Sequence, residues 1–185
     1  MESNLKVLGH PLHPMLIVFP LGLFVTAFAF DIVYLITGDS LWAEMAYWLI
    51  AGGVVGGVLA SAAGWVDWFA IPSGTRAKKI GFIHGAANGS VLVLFIVSWF
   101  WRQQAAAITD PDAMAIILAG VAVAIAGVGG WLGGELVDRM GVGVDRGAHL
   151  NSPNSLSGKP AETQESLGGT PGQIQDEQDD QRRAA

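Results

Sequence analysis

The stretch MLIVFPLGLFVTAFAFDIVYLIT, residues 15–37, contains one charged residue, Asp31, in 23 consecutive positions. An α-helix needs about 20 predominantly apolar residues to cross the roughly 30 Å of hydrocarbon in a bilayer. Three further runs, residues 41–66, 80–101 and 113–137, are long enough to cross and contain at most one charged residue each. The sequence therefore predicts an integral membrane protein with four transmembrane helices, whose first partner is the lipid bilayer.

The segments between these runs are short, and this sets the expected arrangement of the helices. Short connections make neighbouring helices antiparallel, so we expect an all-α, up-down-up-down four-helix bundle. We expect three parts: an N-terminal His/Pro segment (1–14), a four-helix membrane domain (15–150) and a disordered cytoplasmic tail (151–185). The tail lacks aromatic residues and is rich in Ser, Gly, Pro, Gln and acids, a composition that cannot bury enough apolar surface to fold.

The composition excludes several functions. The chain has no cysteine, which excludes disulfides, covalently attached c-type haem and iron–sulfur ligation within it. The net charge is −6 and no basic stripe occurs, so nucleic acid is not an expected partner. Neither a nucleophile–base pair nor a phosphate-binding loop is recognisable, and we do not expect an enzyme.

Basic residues near the spans are divided unevenly between the two ends of the predicted bundle. With four spans, the N-terminus, the loop 71–79 and the C-terminus share one side. That side carries six basic residues, and the other side carries only Arg102. The six are Lys6, Arg76, Lys78, Lys79, Arg139 and Arg146. The positive-inside rule predicts that this side is cytoplasmic.

Two histidines stand at the start of the first span. In HPLHP, residues 10–14, each histidine precedes a proline, and a residue before proline avoids the α region. We therefore expect His10 and His13 to be extended, outside a regular helix, and to be aimed across the end of the bundle toward His84. Four residues after His84, Asn88 lies on the same helix face.

Acidic residues lie at the same end of the bundle. Asp67 closes the second span and Glu135 the fourth. Ionisable residues at membrane depth are costly, so they join the histidines as candidate functional residues. A structural role, as hydrogen bonds between helices or as solvated groups at the interface, is the alternative for each. Asp31, nearer the other end, is predicted to be structural and to bond Ser40 or Tyr47.

Small residues recur at four-residue spacing in the second and fourth spans. One stripe runs through Ala60 and Gly64, and another through Gly129 and Gly133. Such faces let helix backbones approach closely. Their predicted role is tight packing within the bundle, and contact between copies in a homo-oligomer is the alternative.

Four stretches together resemble domain-of-unknown-function family 2231, a family of predicted bacterial membrane proteins. They are GHPLHPMLIVFPLGL (9–23), LITGDSLWAEMAYWLIAGG (35–53), GWVDWFAIPSGTRAKKIGFIHGAANG (64–89) and GWLGGELVDRMGVGVD (130–145). The resemblance implies a four-span module of uncharacterised activity in the bacterial inner membrane. It also implies a Rieske-type or cytochrome redox partner, since some relatives are joined to such domains.

The resemblance also implies which polar positions matter in this chain. The recurrent positions of the family fall on His10, His13, Asp67, His84, Asn88 and Glu135. The chain departs from the family at Val18 and at Met140, where relatives often carry further histidines.

Three functions remain open on this basis. The first is an accessory or scaffold subunit without a cofactor, in which the polar residues join the helices. The second is an electron-transfer module with a single b-type haem held by His13 and His84, with Asn88 nearby. The third is a transition-metal site. Its candidate ligands are His10, His13, His84, Asp67 and Glu135.

Overall fold

The computed structural model describes residues 1–104 and 108–161, which form a bundle of four long helices. α1 spans Leu12–Thr37, α2 Ser40–Ala70, α3 Arg76–Gln104 and α4 Ala113–Gly134, and α4 continues into a π-helical turn, Glu135–Arg139. All four are long and apolar enough to cross a membrane. The predicted fold class, an all-α bundle of four membrane spans, is confirmed.

Local signals explain where the helices begin and end. Gly38 follows α1 in the left-handed conformation (φ 68°), which glycine adopts without steric penalty. The carboxylates of Asp39 and Asp112 accept hydrogen bonds from the backbone N–H groups of Leu41 and Met114. These are N-cap bonds, which satisfy donors that have no partner within the helix. Turn residues readable in the sequence therefore fix the connection between α1 and α2 and the start of α4.

The first helix begins earlier than predicted and includes His13. It starts at Leu12, with Pro11 as its N-cap residue and Pro14 in the first turn. The prediction that His13 is extended and outside a regular helix is therefore wrong. The N–H groups of a first turn have no partner within the helix, so Pro14 removes no hydrogen bond there, and its fixed φ suits the helix.

His10 has the extended geometry that the sequence predicts. It lies in a short antiparallel hairpin, in which β1 (Lys6–Val7) pairs with β2 (His10–Pro11). The two residues between the strands, Leu8 and Gly9, have positive φ values of 51° and 83°. Positive φ at both positions is the mark of a type I′ turn, which suits the twist of a two-residue hairpin.

The helices pack as two antiparallel pairs around a common core. α1 packs most extensively on α2 and α3 on α4, and α1 lies diagonally opposite α3. At the centre the rings of Phe24 and Phe95 stack with centroids 3.9 Å apart and planes 4° from parallel. Further buried members of this core are Ala27, Ala46, Ile50, Val91, Ala119 and Ala122.

Segments outside the helices cover the end at which α1 and α3 begin, which we call the histidine end. Gly143 donates its N–H to the carbonyl of Met1 (2.8 Å), and Lys6 Nζ binds Asp145 Oδ1 (2.5 Å). The described part of the predicted tail, 151–161, contains one 3-10 turn, Ser155–Ser157. The predicted disorder of the rest of the tail lies outside the described residues.

Candidate functional site: a histidine pair

His13 and His84 come together inside the histidine end of the bundle. His13 lies in the first turn of α1, and His84 lies on the diagonally opposite helix, α3. Their ring centroids are 6.2 Å apart and the ring planes are nearly perpendicular, at 88°. Both side chains are partly buried. The predicted approach of His13 to His84 is therefore present, although it comes from a helical rather than an extended His13.

Each imidazole is held by a backbone carbonyl of a neighbouring helix. His13 Nδ1 lies 2.8 Å from the carbonyl oxygen of Ala60 on α2. His84 Nδ1 lies 2.9 Å from the carbonyl oxygen of Gly129 on α4. A carbonyl oxygen can only accept, so each Nδ1 carries the proton. In the neutral ring this leaves the lone pair on Nε2, and within the described residues neither Nε2 has a hydrogen-bond partner.

Glycines on α2 and α4 make the space that the two rings occupy. A Cβ atom at Gly64 would lie 2.9 Å from His13 Cε1 and 3.0 Å from its Nδ1. At Gly133 a Cβ atom would lie 3.2 Å from His84 Cε1. The predicted role of these glycines was close approach of helix backbones. The structure shows instead that the atoms next to them belong to the histidine rings.

Asn88 completes the polar surroundings of His84. Its Nδ2 donates to the carbonyl oxygen of His84 (2.9 Å), one turn back on the same helix. A Cβ atom at Gly129 would lie 2.8 Å from that nitrogen. Asn88 therefore lies beside the histidine, on the face that the sequence predicts.

The other predicted site residues make separate contacts. Asp67 Oδ1 accepts hydrogen bonds from Ser3 Oγ (2.6 Å) and from the N–H of Asn4 (3.1 Å). Glu135 Oε1 pairs with Arg76 Nη2 at 2.6 Å. His10 Nε2 faces Ser155 Oγ at 3.3 Å. The structure thus brings together His13, His84 and Asn88, and leaves Asp67, Glu135 and His10 in other contacts.

This separation bears on the predicted transition-metal site. Among residues 1–104 and 108–161, no group of three or more His, Cys, Asp or Glu side chains is placed to hold a metal ion. The two histidines are the nitrogen donors that the fold itself brings together.

A second polar contact, at the opposite end of the bundle, was missed. Arg102 donates two hydrogen bonds to Asp31, Nη1 to Oδ1 at 2.8 Å and Nη2 to Oδ2 at 2.6 Å. The expectation that Asp31 bonds Ser40 or Tyr47 is therefore wrong. The sequence did contain a signal for this pair. Asp31 lies 18 residues after His13 and Arg102 lies 18 residues after His84, so the two side chains stand at the same level of the first and third spans.

Comparison with known proteins gives the family. The model of a family described as predicted membrane protein (DUF2231) matches residues 9–146, which include all four helices and both paired histidines. The chain belongs to this family. The resemblance read from the sequence is confirmed, with nearly the same boundaries. No curated protein and no solved structure gives a match.

Proposed function

We propose that this protein is a membrane electron-transfer module in which His13 and His84 supply the two axial ligands of one b-type haem. One observation carries the proposal: both imidazoles have Nδ1 at a backbone carbonyl, and neither Nε2 has a hydrogen-bond partner among the described residues. Histidines that ligate metals almost always donate their other ring N–H to a carbonyl or carboxylate, which fixes the tautomer and the ring orientation. A bound haem supplies a one-electron carrier.

The spacing of the rings suits a single iron atom. Two imidazoles that held one metal ion between them, through metal–nitrogen bonds of about 2 Å each, would have ring centroids about as far apart as these. That distance is 6.2 Å. The two Nδ1 atoms are bound to α2 and α4, on opposite sides of the bundle.

The number of donors favours haem over a bare metal ion. Structural and catalytic zinc sites use three or four protein ligands. The porphyrin of haem supplies four nitrogen ligands to the iron, so the protein needs to provide only one or two axial ligands. A pair of histidines with no third donor gathered beside them in the described part of the chain therefore fits haem better.

The role of the chain's own residues follows from these contacts. The carbonyls of Ala60 and Gly129 orient the imidazoles and keep Nδ1 protonated. The apolar core beyond the site, with the stacked rings of Phe24 and Phe95, keeps water from the middle of the bundle.

Orientation and partners extend the proposal. Arg102 is the one basic residue near the spans on the side opposite the termini, and its charge is neutralised by Asp31 within the bundle. The remaining bias of basic residues supports cytoplasmic termini in a bacterial inner membrane, with the histidine end on the cytoplasmic side.

A site near one face accepts electrons from a partner on that face, and a Rieske-type or cytochrome protein is the proposed class. A homo-oligomer is part of the same proposal.

The test is an absorption spectrum and a metal analysis of the protein purified in mild detergent after expression with haem supply. The proposal expects a reducible Soret band at one haem per chain, lost in both His13→Ala and His84→Ala. His10→Ala is the matched control and should keep the spectrum. A stoichiometric metal without haem, or a colourless, metal-free protein, would overturn the haem proposal.

An accessory or scaffold subunit is the second candidate, and it also has an observation in its favour. The acidic groups Asp67, Glu135 and Asp31 all find partners within the chain, so they serve to join segments. This function predicts a colourless protein in which His84→Ala lowers stability only.

A further inference from the structure

The buried residues of α1 and α3 occur at a constant separation in the sequence. Those of α1 are Pro20, Phe24, Ala27 and Asp31. Adding 71 to each number gives Val91, Phe95, Ser98 and Arg102, and all four are buried in α3. His13 and His84 have the same separation, as do LGLF (21–24) and LVLF (92–95).

α2 and α4 show a second constant separation. The buried residues of α4 are Ala115, Ile116, Ala119, Ala122, Gly129 and Leu132. Subtracting 69 from each number gives Ala46, Tyr47, Ile50, Gly53, Ala60 and Ala63, and all six are buried in α2. The two helical hairpins, α1–α2 and α3–α4, therefore bury equivalent positions.

Contacts across the bundle join equivalent positions to each other. His13 faces His84, Phe24 stacks on Phe95, and Asp31 binds Arg102. Residues related by a two-fold axis meet their own equivalents only next to that axis. These three pairs therefore mark an axis that runs along the bundle, the arrangement of parallel repeats in membrane proteins.

The surroundings of the two histidines repeat in the same way, and we call the carbonyl and the glycine that contact each ring its seat. The carbonyl that holds His13 belongs to Ala60, and the one that holds His84 belongs to Gly129, its equivalent 69 positions on. The glycine beneath each ring, Gly64 or Gly133, lies four residues after that carbonyl. Each hairpin thus contributes one imidazole and one complete seat.

We propose that Gly64 and Gly133 are equivalent positioning residues, which seat one imidazole on each side of a pseudo-two-fold axis for a ligand with two opposite, equivalent binding positions. The ligand class is a planar metal macrocycle with both axial positions open; this assignment rests on the proposed haem function, whereas the paired seats stand without it.

The seats are tested by replacing each glycine with alanine. A methyl group at Gly64 would meet the ring of His13 at 2.9 Å and one at Gly133 would meet that of His84 at 3.2 Å, so each displaces its ring. Gly130→Ala and Gly134→Ala are matched controls on α4, because a Cβ atom there meets nothing within 4 Å.

The first measurement uses the ligand-free protein in detergent. Long-range ¹H–¹⁵N correlation of the ring nitrogens should show Nδ1–H on both histidines. Gly64→Ala should shift the His13 signals and Gly133→Ala those of His84, with no shift in the two controls. An Nε2–H tautomer on either histidine, or equal shifts in the controls, would overturn the paired seats.

The second measurement uses the haem-loaded protein. Both seat variants should weaken haem binding, by about 10–100-fold as for other residues that orient metal ligands, and Gly130→Ala and Gly134→Ala should not. If only one seat variant weakens binding, the symmetric ligand is wrong. If the ring signals behave as expected and no haem binds to the unsubstituted protein, the haem function fails while the paired seats stand.

Discussion

The guanidinium group of Arg102 donates two parallel hydrogen bonds, of 2.8 and 2.6 Å, to the carboxylate of Asp31. Both side chains are completely buried, with 0% of either exposed. The two residues stand 71 positions apart, on diagonal helices. Such a two-bond pair is the geometry in which a buried charge is best compensated, and it ties α1 to α3 at the end of the bundle opposite the histidines.

Loss of one member of this pair should be strongly destabilising. Asp31→Asn leaves an uncompensated guanidinium in the bundle, and we expect the free energy of unfolding to fall by about 3–5 kcal/mol. Unfolding in a denaturing detergent, followed by tryptophan fluorescence, measures it. The double exchange Asp31→Arg with Arg102→Asp places the same pair across the proposed axis and should recover much of the loss. Equal instability of the double and single variants would contradict the equivalence of the two positions.

The Arg76–Glu135 pair should contribute far less. Arg76 is 63% exposed, so water screens its 2.6 Å contact with Glu135. We expect Arg76→Gln to lower the free energy of unfolding by at most about 1 kcal/mol, in the same assay as Asp31→Asn. A loss as large as that of Asp31→Asn would show that Glu135 is buried in the functional protein.

The Phe24–Phe95 stack depends on a glycine in α2. A Cβ atom at Gly53 would lie 2.5 Å from Phe24 Cε1, inside van der Waals contact. We expect Gly53→Ala to destabilise the protein by about 1–3 kcal/mol, because overpacking forces the ring out of its place. Gly127→Ala is the control, since nothing lies within 4 Å of its Cβ position. The control should be neutral or slightly stabilising, as alanine favours helix.

Asp67 should hold the N-terminal segment rather than a metal. Asp67→Ala removes the acceptor of Ser3 Oγ and of the Asn4 N–H. We expect faster hydrogen exchange at Asn4, with the helices unaffected, by amide exchange followed by mass spectrometry. Asp138→Ala serves as the control, because Asp138 makes no side-chain hydrogen bond among the described residues. Unchanged exchange in Asp67→Ala would show that the segment is held by its other contacts.

Docking of the same segment should depend on pH. The hydrogen bonds that Lys6 donates to Asp145 and Glu2 raise the pKa of Lys6, and the bond that Glu2 accepts from Lys6 lowers the pKa of Glu2. The contribution of Glu2 is therefore present above its unfolded pKa of about 4.3 and is lost as pH falls. The contribution of Lys6 is present below its unfolded pKa of about 10.4 and is lost as pH rises through the raised value.

The expected result is greatest protection of the Gly143 amide, which donates to Met1, between about pH 5 and pH 10. Amide exchange, corrected for its intrinsic pH dependence, measures this protection. Lys6→Gln should flatten the profile. A profile that Lys6→Gln leaves unchanged would contradict this assignment.

Part of the site was predictable because it depends on one helix at a time. The four-residue spacing of His84 and Asn88 fixes a shared face wherever α3 lies. The proximity of the two histidines was predictable for a different reason. Because α2 runs antiparallel to α1 and carries the chain back, α1 and α3 begin at the same end of the bundle. The helical conformation of His13 was not predictable. A residue before proline prefers extended geometry, but here α1 begins at Leu12, one residue before His13, and includes it.

The sequence by itself determined the four spans and their antiparallel order. These follow from local properties, namely the length of apolar runs and the chemistry of turns. Only the tertiary structure decided that Asp31 meets Arg102, that Glu135 meets Arg76, and that Gly64 and Gly133 lie against imidazoles. Such contacts depend on the rotation and axial position of each helix relative to the others, which the whole core sets together.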